Sequence, residues 1–172
     1  VDLTLAADAA EGLLRAAEGD TLEATRFLLQ AAATEQTKRS EDSYRNDPPP
    51  YPWPVYRILG DLYLSRGENR LAIDAYTRAL KNEHNDAFSL SGLARAHAAL
   101  NETETATRFA GRLAAVWSNA DPALKWRDDV NKLGLDAKPA AETPAPERIY
   151  RLDLLADLGP LDWQPFAAPE LS

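Results

Sequence analysis

The chain has 172 residues, 45% of them apolar, and a formal net charge of −8, which suits one helical domain with tails or one domain of a longer chain. The charge is uneven: residues 1–50 carry ten acids against five bases, residues 135–172 seven against three, and the centre, 51–134, ten against eleven. With no basic stripe to displace counterions from phosphates, nucleic acid is a poor partner; the absence of cysteine excludes a disulfide framework, a thiolate nucleophile and a cysteine metal site within these residues.

Taken in order, residues 3–17 predict a helix with an apolar stripe of Leu3, Ala6, Ala10, Leu13, Leu14 and Ala17, in which Gly12 permits close packing. Glu18-Gly19-Asp20 is a turn, and Asp20 or Thr21 can accept a hydrogen bond from the free amides opening the next helix, about 21–38. That helix carries Leu22, Phe27, Leu28, Ala31 and Ala32. The prolines among Lys38–Pro54 then forbid continued helix, so it ends before Asp47. Pro54 is tolerated in the first turn of the following helix, where its missing N–H costs nothing. Helices follow at 55–66, 69–82, 87–99 and 102–118. Gly67 closes the first of these, Asn69 is placed to cap the second, and Asp86 caps the third. Asn101 stands at the turn position of Gly19 and Gly67, asparagine being the next-best residue for a left-handed backbone. Asp121-Pro122 opens a further helix, 122–133, and Gly134 ends it. The Pro- and Ala-rich run that follows reads as a linker, and the tail beyond it is apolar, with helix and strand both open for Ile149–Leu155.

Two of these stretches repeat. At an offset of about 34 residues, the period of one helical hairpin, Leu59 falls on Leu93, Gly60 on Ala94, Tyr63 on His97, Ala72 on Ala106, Tyr76 on Ala110 and Ala79 on Leu113. The first hairpin is a divergent relative: Gly19 to Ala24 matches Gly67 to Ala72, Leu28 matches Tyr76 and Ala31 matches Ala79. The pattern Trp53, Leu59-Gly60, Tyr63, Ala72, Tyr76, Ala79 resembles the tetratricopeptide repeat; the second run lacks its aromatic positions. The resemblance implies an all-α, right-handed superhelix of about three hairpins plus a capping helix, with an irregular C-terminal tail. The organisation read from this is a divergent first hairpin at 1–38, a proline-rich insertion at 39–52, two repeats and the cap at 53–134, a linker at 135–147 and a tail at 148–172. A solenoid must cover its last apolar face, which is the role assigned to 122–133 with Trp117 and Trp126.

Within such a superhelix the first helix of each pair lines the concave groove. The resemblance thereby places Arg57, Asp61 and Leu64 inward on one repeat and Phe88, Ser91 and Arg95 on the next. Arginine can grip a carboxylate with two parallel hydrogen bonds, so Arg57 and Arg95 are the candidate peptide anchors, unless they pair with neighbouring acids such as Asp61. Some members of the family clamp chaperone C-termini with lysine and asparagine where this chain has Arg57 and Asp61, and asparagine where it has Gly92. That departure argues against chaperone-tail capture.

A second resemblance lies in LGPLDWQPFAAPELS, where Ala168-Pro169-Glu170-Leu171-Ser172 looks like the lead-in to a thioredoxin-like redoxin domain of the alkyl-hydroperoxide-reductase type. The active cysteine of such a domain would lie beyond Ser172. Val1 in place of methionine leads to the expectation that the chain is internal to a larger protein or follows a processed segment. No run approaches the roughly 18 apolar residues of a membrane span, and no basic-then-apolar leader is present. Compartment is not decided by these residues.

The chemistry-bearing residues are few. His84 and His97 lack zinc spacing, His97 reads as a packing residue, and Ser91-Gly92 does not form a nucleophile elbow. No phosphate loop is present, and Asp128-Asp129 reads as a solvated pair. The expectation is therefore a non-catalytic interaction module, with no cofactor or metal, that binds a protein or peptide; short arrays with an open end also allow a homodimer. Two alternatives stand beside it: an accessory segment of a redox enzyme, and a small-ligand pocket near Tyr51, Trp53 and Tyr56.

Overall fold

Three chain reversals of one design set the architecture. The structure, a computed structural model of the chain, describes residues 3–41 and 52–118 together with positions 131 and 133. Among these the elements are all helical: α1 (Leu3–Glu18), α2 (Thr21–Glu41), α3 (Val55–Ser65), α4 (Asn69–Asn82), α5 (Ala87–Ala99) and α6 (Thr103–Val116). The helix expected at 122–133 apart from positions 131 and 133, the linker, the tail with its redoxin-like motif, and most of the proline-rich insertion lie outside the described residues.

Within each of the pairs α1–α2, α3–α4 and α5–α6 the chain turns through one left-handed residue: Gly19 (φ 84°), Gly67 (φ 73°) and Asn101 (φ 60°). The amide after each donates to the carbonyl five residues back, Asp20 to Arg15, Glu68 to Tyr63 and Glu102 to His97, each at 2.9 Å. This is the Schellman closure, which satisfies carbonyls that a helix end leaves free. The equivalence of Gly19, Gly67 and Asn101 expected from the repeats is thus present in the backbone. Asp20 caps α2, accepting from the Glu23 amide at 3.2 Å, and Asp86 caps α5, accepting from the Ser89 amide at 3.0 Å. Asn69 does not cap α4. Glu68, next to the left-handed Gly67, takes the N-cap position with no side-chain bond, which puts Asn69 inside the helix.

The hairpins stack in series, each helix packing on its neighbours, as a helical-repeat superhelix requires. A first core joins Leu5 and Ala9 of α1, Leu28, Ala31 and Ala32 of α2, Val55, Ile58 and Leu59 of α3 and Ala75 of α4. A middle core holds Ala72, Tyr76, Leu93 and Ala96, and the last holds Leu90, Ala94, Ala110, Leu113 and Trp117. The face of α1 differs from the one expected: Leu5, Ala9 and Gly12 are buried, whereas Leu3, at 83% exposure, and Leu14 face solvent. Size decides this. Leu28 lies so close to α1 that a Cβ on Gly12 would stand 2.7 Å from its Cγ, so the side of α1 with the smaller residues turns inward.

At the centre, the Tyr76 ring is fully buried between Gly60 of α3 and Gly92 of α5. A Cβ on Gly60 would meet its Cε1 at 2.5 Å, and one on Gly92 would overlap the same ring more closely still. Ordinarily a Gly-to-Ala change in a helix interior stabilises by about 1 kcal/mol. Here the sign should reverse: Gly92→Ala should lose about 1–3 kcal/mol through overpacking, read as a lower midpoint in urea unfolding.

Between α2 and α3 the joint is partly polar. Glu35 is only 2% exposed; its carboxylate accepts from the Val55 amide at 2.9 Å and pairs with Arg39 at 3.0 Å. Arg39 in turn reaches Glu83, just past the end of α4, at 3.5 Å. Removing one partner of a buried pair leaves the other uncompensated, so Glu35→Ala should cost about 3–5 kcal/mol. Glu35→Gln, which keeps an acceptor for Val55, should cost less; equal losses in the same urea titration would refute the staple.

Candidate functional site

Residues four apart share one side of a helix, and Trp53, Arg57, Asp61 and Ser65 form such a ladder running into and along α3. With Ile58 and Leu62, Leu13 and Ala16 of α1 and Leu28 of α2, they line an open cleft of about 410 Å³. Its floor is aliphatic and its α3 wall carries one cation and one acid.

Arg57 is the unusual group. Its side chain is 15% exposed, and its guanidinium carbon lies 4.8 Å from the centre of the Phe88 ring and 5.8 Å from that of Trp53. A cation held over aromatic faces is stabilised by their quadrupoles. The Nε is nevertheless buried with no hydrogen-bond partner among the described residues. The one carboxylate within ion-pair reach among the described residues is Asp86, whose Oδ1 stands at the 4.0 Å limit while its Oδ2 holds the Ser89 amide and hydroxyl.

Asp61 has two faces. Its Oδ1 accepts from the Tyr76 hydroxyl at 2.7 Å, while the residue keeps solvent contact on the cleft side. Burial raises its carboxyl above the usual carboxylate range; the Tyr76 hydrogen bond, Arg57 and Arg95 oppose this, and Asp86 adds to it. Burial and then the Asp61 charge also hold the Tyr76 hydroxyl far above its ordinary pKa. Tyr76 is therefore a neutral hydrogen-bond donor at any working pH.

Of the six residues predicted for the groove, the structure brings Arg57, Asp61 and Phe88 together, with Arg95 exposed on α5 and near enough to act on the Asp61 charge. Arg57 does not pair with Asp61; the neighbouring acid it reaches is Asp86, at 4.0 Å, and it lies over the Phe88 and Trp53 rings. Leu64 is half-buried against the Tyr76 core, and Ser91 is half-buried on α5. No protein-family model and no curated protein matches the chain. Its functional reading therefore rests on these residues.

Sequence reasoning named Trp53 for a small-ligand pocket but not for the groove, and missed Leu13 and Ala16 as the far side of the cleft. The four-residue ladder through Trp53 was a usable signal; the approach of α1 is tertiary and had none. Of the pocket expected near Tyr51, Trp53 and Tyr56, Trp53 lines the cleft, Tyr56 turns to Arg78, whose guanidinium stands 5.4 Å from its ring centre, and Tyr51 lies outside the described residues. His97 stacks on Phe109 at 5.5 Å, and its Nδ1 lies 2.6 Å from Glu102. Among the described residues no group of three or more His, Cys, Asp or Glu is placed to hold a metal, and no helix is long and apolar enough to cross a membrane.

A carboxyl with a raised pKa holds its proton more tightly in the folded than in the unfolded chain. Its contribution is most favourable below the ordinary value of about 4 and is lost as pH rises through the raised one. Asp61→Asn removes the charge and keeps an acceptor for Tyr76. Its melting temperature at pH 7 should equal or exceed that of the parent, with any gain shrinking toward pH 3.5. Asp61→Ala, which orphans the Tyr76 hydroxyl, should melt lower at both. A drop of several degrees for Asp61→Asn at pH 7 would show that the charge itself stabilises the fold.

Proposed function

We propose that this chain is a non-catalytic protein-interaction module, built from tetratricopeptide-like hairpins, that binds a peptide or a segment of a partner domain on the face shared by α1, α3 and α5. The observation that supports it is Arg57. A guanidinium held against two aromatic rings, with a buried donor that no group among the described residues satisfies, beside an open aliphatic cleft, suits recognition better than stability. Unmatched buried donors cost about 1–3 kcal/mol, so the placement of Arg57 is unfavourable for stability alone. Arg95, exposed on the next hairpin, extends the basic character of that face, and the hairpin turns and small residues at the helix contacts match what tetratricopeptide-like packing requires.

Random-peptide display against the immobilised protein tests this, with Arg57→Ala and Arg95→Ala run in parallel after circular dichroism has shown them folded. Peptides should be selected that lose about tenfold or more in affinity on Arg57→Ala. Selection of no peptide, or of peptides indifferent to both changes, would overturn the proposal.

A further inference from the structure

We infer that the occupant of the α1–α3 cleft is an internal, extended peptide segment in which an Asp or Glu side chain pairs with Arg57 and a neighbouring Leu or Ile side chain enters the cleft. The inference rests on the binding reading above and adds the chemistry of what is bound.

The acidic requirement follows from a donor census. Arginine offers five N–H donors and no acceptor. Of the nearby acids, Asp61 gives its Oδ1 to Tyr76, and Asp86 gives its Oδ2 to the cap of α5 and faces Arg57 through Oδ1 at 4.0 Å, beyond hydrogen-bond reach. A carboxylate is the group whose two oxygens match the guanidinium fork. Trp53 and Phe88, which flank the cation, are themselves each about half exposed, so it lies just beneath the surface. Packing already confines the Arg57 side chain to 15% exposure, so less rotamer freedom remains to be lost on binding.

The aliphatic requirement follows from the lining. Leu13, Ala16, Leu28, Ile58 and Leu62 present hydrocarbon, and about 410 Å³ falls within the range of sites that enclose a side chain and the backbone carrying it. From Arg57 to Ser65 the cleft follows about 12 Å of helix, which four residues of extended chain would span. The solvent-facing side of Asp61 lies on the same ladder and can accept a backbone N–H from such a chain. An internal acid is specified because a chain passing along this ladder continues in both directions past Arg57, whereas a terminal carboxylate would end there.

The test is a ¹⁵N–¹H correlation titration of the whole chain with N-acetyl-Leu-Glu-amide. Three comparison probes isolate the features: N-acetyl-Leu-Gln-amide, N-acetyl-Ala-Glu-amide, and N-acetyl-Leu-Gln with a free carboxylate. A ligand this small should bind in the millimolar range and shift amides in α1 around Leu13–Ala16 and in α3 around Arg57–Ser65. Replacing Glu by Gln should weaken binding about tenfold, the worth of a charge-assisted bond, and Leu by Ala should weaken it several-fold through lost burial. In Arg57→Gln the preference for Glu over Gln should vanish, with Arg57→Lys intermediate because the point charge remains without the fork. Equal binding of the Glu and Gln probes, equal or tighter binding of the free-carboxylate probe, or no shifts in α1 and α3 would each overturn the inference. Displayed peptides that depend on Arg57 but carry no acid would overturn it while leaving the binding reading intact; no displayed peptide at all would remove both.

Discussion

One phenol ring between two glycines spaces three helices. Tyr76 projects from α4 into the seam where α3 meets α5, and Gly60 and Gly92 are the positions at which either helix would otherwise strike it. The ring excludes side chains from the closest approach and fills the gap itself, so packing density is kept without strain. Its hydroxyl ends on Asp61, at the edge of the cleft. The core and the open face are therefore coupled through a single residue: the group that sets the helix spacing also orients the acid beside Arg57.

Much of this was legible in the chain. The left-handed turn residues, the capping by Asp20 and Asp86 and the helices after Pro54 follow from short-range chemistry, and short-range chemistry survives folding. The face of α1 did not, because an Ala- and Leu-rich helix is apolar on several sides and only the approach of Leu28 to Gly12 selects one. Gly92 likewise looked like an unremarkable helical glycine; its meaning comes from a ring sixteen residues earlier. Of the site, Arg57, Asp61 and Phe88 were found through their repeat positions. The α1 wall was not, since nothing within α3 announces which helix will stand opposite it.

The ion pairs of this protein do unequal work. Exposed helix pairs such as Arg15 with Glu11 contribute little in water, where solvent and salt screen them. Glu35 is different because burial leaves it nowhere else to go: it must hold Val55 and Arg39 at once. The same rule, applied to Arg57, singles out a cation beside the cleft whose Nε finds no acceptor among the described residues.

The α2–α3 joint has a mechanical consequence. Among successive helices, α2 and α3 share the narrowest contact, and the apolar residues they bury together are supplemented by Glu35, which holds Val55 and Arg39. The cleft straddles that seam, with α1 and α2 on one side and α3 on the other. Its width is therefore set by how α2 seats on α3, a contact to which the buried Glu35 contributes directly through Val55.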